Sequence, residues 1–197
     1  MVSEYGLALV GNLADRDEGG ETYFGLVSMC RLIQRRVGKN RGVCVGRDAS
    51  QELSFCFKKP GSGEEHGKLF PFVSFGAWLV SSNTGAAAWV METGEVDVPY
   101  QAVQCKASSA TLVEITAGLM VLQWAIQQKM ERICIKTDCE VFVQGLMDWQ
   151  SAPFDVQPAL SDFCSLCSNF LVVKVIKVSR LVVKVAHSKA KAALSHM

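Results

Sequence analysis

The run Thr111–Gln150, TLVEITAGLMVLQWAIQQKMERICIKTDCEVFVQGLMDWQ, constrains the fold more than any other part of the chain. Leu112, Ile115, Leu119, Leu122 and Ile126 recur at three- and four-residue steps, which predicts a helix over Ser108–Met130 with one apolar stripe. Thr111 followed by Glu114 has the spacing of a capping box at its start. ERICIKTD then reads as a short strand, with Ile133 and Ile135 on one face and Cys134 on the other. Asp138 is placed to cap a second helix, whose buried face would be Phe142, Leu146 and Trp149. Glu114 and Asp138 are therefore either two helix caps or half of a carboxylate metal site.

Upstream, residues 1–66 carry little pattern and read as an extension with one short helix over Val27–Val37. Its basic tail, RRVGKNRGVCVGR, either touches phosphates or forms a solvated loop. The Gly-, Pro- and charge-rich KKPGSGEEHGK marks a boundary, so a domain is expected over residues 67–197. There LFPFVSFGAWLV reads as a strand ending near Gly76, although Pro71 would sit badly in a central strand. Thr84-Gly85 signals a turn, AAAWVMETG a second strand closed by Gly94, and EVDVPYQAVQC a third, together an antiparallel meander. After the opening run, PALSDFCSLCSNF reads as a helix aligning Leu160, Phe163, Cys167 and Phe170, and VVKVIKV as a fifth strand. LVVKVAHSKAKAAL closes the chain as a basic helix. Three antiparallel strands followed by helix, strand, helix, helix, strand and helix predict an α/β fold, a mixed five-stranded sheet flanked by helices.

A net charge of +1 supplies no global field for nucleic acid or membrane, so any binding surface has to be local. The eight cysteines fall largely in apolar patterns, where a free thiol behaves as a small hydrophobe. With an opening that turns acidic early, this points to an intracellular, reduced protein in the nucleus or cytoplasm. Cys164-x-x-Cys167 lacks the second Cys or His pair a zinc site needs and reads as helix core. LVVKVIKVSRLVVKV is broken by lysines at strand-like spacing, so no membrane partner is expected. Trp78, Trp89, Trp124 and Trp149 lie in apolar patterns and read as core rather than base-stacking platforms.

Several local signatures, in order over about residues 70–193, resemble the plant reverse-transcriptase-like RNase H family of the ribonuclease H-like superfamily. They are Phe75-Gly76-Ala77-Trp78 at the family's Asp-Gly-Ala strand end, and Ala88-Trp89-Val90-Met91-Glu92 with Gly94 at its second strand. Val113-Glu114 through Glu131-Arg132-Ile133 matches its helix start and following turn. Thr137-Asp138 matches its Ser-Asp strand end, and Val178-Ser179-Arg180 through Ala190 its closing motif. The resemblance implies hydrolysis of the RNA strand of an RNA–DNA hybrid by two magnesium ions held on converging carboxylates. The family's four acidic positions here carry Phe75, Glu114, Asp138 and His187. Two carboxylates survive, Phe75 offers no ligand, and His187 suits zinc or manganese better than magnesium. Val183 stands for the family's polar Asn, and Arg180 remains to meet a phosphate, with Lys177, Lys184 and Lys189 as further nucleic-acid-binding candidates.

Three readings follow from the resemblance. The first is a catalytically inactive, nucleic-acid-binding relative of the hybrid ribonucleases, a pseudoenzyme partnered by RNA, DNA or their hybrid. The second is a weakly active endonuclease that uses Mg2+ or Mn2+ on Glu114 and Asp138. The third is a protein-interaction module with no nucleic-acid role.

Overall fold

The computed structural model describes residues 46–47, 53–59, 67–93 and 98–195. The Val27–Val37 helix, most of the basic tail before Gly46, and Gly94 lie outside the described residues. In chain order the elements are β1 (Gly46–Arg47), β2 (Leu53–Lys58), β3 (Phe70–Leu79), β4 (Thr84–Met91), β5 (Tyr100–Lys106), α1 (Ala110–Gln127) and β6 (Arg132–Thr137). There follow α2 (Glu140–Met147), two short 3-10 turns (Trp149–Ser151 and Phe154–Val156), α3 (Gln157–Cys167), β7 (Val172–Lys177) and α4 (Lys184–Ser195).

All the strands join one mixed sheet in the order β1-β2-β7-β6-β3-β4-β5. β3, β6 and β7 run parallel, while β4 and β5 form the antiparallel meander beside β3. The expected α/β sheet with flanking helices is present, with seven strands among the described residues instead of five. The two additions come from the N-terminal side of the expected boundary at residue 67. β2 pairs antiparallel with β7 from Ser54↔Ile176 to Lys58↔Val172, and it places Phe55 in the main core. A strand of alternating Leu53, Phe55 and Phe57 is too short to declare itself in sequence, but β7 offers it a free ladder edge.

Three local expectations change. β3 runs three residues past Gly76, and the turn to β4 lies at residues 80–83, where Asn83 takes the left-handed conformation at φ 49°. Thr84 and Gly85 are already in β4, because Asn tolerates that conformation well enough to make the turn itself. Pro71 does sit in a central strand. It lies at the strand's start, one residue before the β4 ladder begins at Phe72↔Met91, and its carbonyl accepts from Glu92 N–H at 2.9 Å.

Two apolar layers hold the helices. The main core lies on the face covered by α1, α2 and α3 and includes Phe72, Trp89, Ile115, Ile133, Phe142, Phe163 and Val175. α1 is buried nearly all round rather than along one stripe, because α3 packs on its outer side. Among the described residues it is the one helix long and apolar enough to cross a membrane, and here it is the core helix. Trp149 lies in the turn after α2 rather than on it, packed against this core. On the opposite face α4 covers β3, β4 and β5 through a smaller cluster of Val73, Phe75, Ala86, Ala88, Val90, Val183, Ala186 and Ala190.

Candidate nucleic-acid interface

The candidate residues meet where the parallel pairing of β3 and β6 ends. The ladder closes at Val73↔Lys136; Phe75 follows two residues later in β3 in the cluster under α4, and Asp138 comes directly after the end of β6. Glu114 reaches the same point from α1 across Gly76. A Cβ at Gly76 would lie 2.8 Å from Glu114 N and 3.0 Å from Val113 C, so only glycine admits the helix this close.

Glu114 is not a capping-box residue. Ser109 caps α1 two residues before Thr111, accepting from Leu112 N–H at 3.3 Å. The hydroxyls of Ser108 and Ser109 both donate to Asp155 Oδ2 at 2.9 Å, which ties the start of α1 to the Phe154–Val156 turn. Glu114 therefore falls one turn inside the helix on its inward side, 6 % exposed. Its carboxyl accepts from Gly76 N–H and from Thr137 Oγ1, the latter at 3.4 Å. Burial pushes its pKa up to about 8 and Asp138 adds to that, against the Gly76 and Thr137 hydrogen bonds and the Arg180 charge.

Asp138 does not cap α2 either. Cys139 is the N-cap residue, with no side-chain cap bond, and Thr137 Oγ1 shapes the entry by accepting from Cys139 N–H at 3.1 Å. Asp138 instead faces Arg180, whose Nε lies 3.9 Å from Oδ2. The same guanidinium lies over the Phe75 ring at 5.8 Å. Phe75 is 3 % exposed and meets His187 edge to face at a centroid distance of 4.2 Å. His187 is held below its ordinary pKa by burial, then by Lys191 and Arg180, with Asp138 opposing. Its Nδ1 is buried without a hydrogen-bond partner. Burial also pushes the Cys139 thiol up to about 11, with Glu114 and Asp138 contributing.

The four positions Phe75, Glu114, Asp138 and His187 thus converge, with Arg180 among them. The lysine candidates divide. Lys184 is exposed in the first turn of α4, beside the site. Lys189 lies over the Tyr100 ring at 3.9 Å, directed toward β5, and Lys177 pairs with Glu140 of α2 at 3.2 Å. β7 is no edge strand, so its lysines do not serve as edge protection; β2 covers that edge. Sequence reasoning carried Thr137 and Gly76 only as motif positions with no role of their own and gave Cys139 no part in the site. A Gly one residue after Phe75 was the available signal for the close approach of α1.

A pair of magnesium ions does not fit these side chains. The carboxylates there are buried Glu114 and partly open Asp138, an aromatic ring stands beside them, and a guanidinium already faces Asp138. Among the described residues no group of three or more His, Cys, Asp or Glu side chains is arranged to hold a metal ion. In the main core Cys167 is fully buried and Cys164 packs against it, in keeping with core cysteines.

A family model described as reverse transcriptase-like matches residues 74–193. Among solved structures, the chain is similar to RNase H1 of the halophilic archaeon Halobacterium salinarum, at TM-score 0.60 and 17% identity, covering 66% of this chain and 100% of that one. It is also similar to the N-terminal RNase H domain of a Mycobacterium tuberculosis protein, at TM-score 0.56 and 14% identity, covering 64% and 95%. A third is LC11-RNase H1 in complex with an RNA/DNA hybrid, at TM-score 0.54 and 10% identity, covering 64% and 97%. At these identities the likeness is one of fold, and the sheet has the RNase H-like architecture. No curated protein matches the chain by sequence.

Proposed function

The chain belongs to the reverse transcriptase-like family, and from that premise we propose that it is an RNase H-like module that binds RNA, DNA or an RNA–DNA hybrid without cleaving it. The observation that carries the loss of catalysis is Phe75. At the position where the family carries a carboxylate, its ring is built into the cluster that docks α4 and packs against His187. The LC11 enzyme, whose fold is similar, is known bound to a hybrid, which supports a nucleic-acid partner for this fold.

The test uses purified protein with a labelled RNA–DNA hybrid. We expect salt-sensitive binding with the hybrid intact after long incubation in Mg2+ or Mn2+. Cleavage that disappears in Glu114→Gln would overturn this reading in favour of a weakly active endonuclease. That second reading rests on the nearness of Glu114 and Asp138, close enough for the Asp138 charge to raise the Glu114 pKa.

A further inference from the structure

We propose that the point where the family gathers metal ions has become, in this chain, a metal-independent site for the phosphodiester backbone, with Arg180, Lys184 and Lys191 as its anion-binding side chains around His187. The proposal rests on the nucleic-acid-binding reading above and concerns how binding is achieved. Its first support is the balance of charge. One partly open carboxylate, Asp138, remains, and Arg180 faces it with 73% of its own side chain still in solvent. The guanidinium has five donors in a planar fork, so it can keep Asp138 on one edge and present the other to a phosphate.

The second support is the direction of the basic residues. Lys184, His187 and Lys191 step by three and four along α4 and share one side of the helix. Both Lys191 and Arg180 help hold the His187 pKa down, which places both cations near its ring. The other α4 cation, Lys189, is directed to Tyr100 on the β5 side. His187 lies between these cations with its ring edge to face on Phe75, so it reports on an anion bound there without having to contact it. A third support is the rim: Leu181 is 82% exposed, and Val182 and Val185 are also exposed next to Arg180. These offer apolar contact to sugars or bases beside the phosphate contacts.

The whole chain is titrated against a fluorescein-labelled RNA–DNA hybrid by anisotropy, once with EDTA and once with magnesium. Affinity should agree between the two within about twofold, since no metal bridges protein and phosphate. Arg180→Ala should weaken binding about tenfold and lower the salt slope by about one, with partial rescue in Arg180→Lys. Lys184→Ala and Lys191→Ala should each weaken it about threefold, while Lys177→Ala and Lys189→Ala leave it unchanged. In parallel, inorganic pyrophosphate is titrated while the His187 ring resonances are followed by NMR, and they should shift.

If the hybrid binds but Arg180→Ala behaves like Lys177→Ala, or if binding needs magnesium, the proposed site is wrong and the binding reading stands. If no nucleic acid binds while pyrophosphate still shifts His187, the anion site stands and the nucleic-acid reading falls. Failure of both titrations overturns both.

Discussion

Glu114 shows how one buried group gives the molecule a pH dependence opposite to the usual carboxylate case. Its folded pKa stands near 8 against an ordinary 4.5, so between those values the folded state holds a proton that the unfolded state has released. Folding stability therefore falls as pH rises through that window and levels off above about pH 8, by on the order of a few kcal/mol. Glu114→Gln keeps an acceptor for Gly76 N–H and removes the titration. Thermal unfolding across pH 5–9 should show a flatter profile for the variant and higher stability at the alkaline end. Phe75 is the complementary case. Phe75→Ala should cost about 3–5 kcal/mol in chemical denaturation, because its ring is shared between β3 and α4. In sequence both positions were identifiable, but their environments were not. Thr111 and Glu114 have capping-box spacing, yet Ser109 takes the cap because it also reaches Asp155 across 46 residues. That competition is decided by a distant loop and leaves no local trace.

At the scale of elements, periodicity located α1, β6, α3, β7 and α4 because each repeats an apolar face over several residues. It failed where pairing partners decide the outcome. β2 has six residues, and although the Gly- and Pro-rich boundary follows it directly, only the exposed side of β7 makes it a strand. The hairpin between β3 and β4 turns on Asn83, a residue less conspicuous than the glycine two positions later. Two outcomes follow at this scale. Gly76→Ala should destabilise by about 1–3 kcal/mol in denaturant, since its Cβ would press on α1 backbone rather than on a movable side chain. Removing residues 1–66 strips β2 from β7 and Phe55 from the core. The shortened chain should melt at least about 5 °C lower by calorimetry and should self-associate by size-exclusion chromatography.

For the whole molecule, two cores of unequal size imply two levels of stability. The main core spans β2, β3, β4, β6, β7 and three helices, while α4 is held by a small cluster that is mostly alanine and valine apart from Phe75. Hydrogen exchange should therefore open α4 well before α1 or β6; equal protection throughout would contradict this. Because α4 carries Lys184, His187 and Lys191, ligand bound there should slow its exchange selectively. The pairing of β2 with β7 matters for how the molecule is made. Phe55 waits for Val175, about 120 residues later in synthesis, so the most sequence-distant ladder in the sheet is among the last that translation permits. Until then β2 leaves the ribosome with two phenylalanines and, among the described residues, only the two-residue β1 at its side. A nascent chain halted before Val172 would hold four strands of the family's sheet and still present β2 to any chaperone or neighbouring chain that offers an edge.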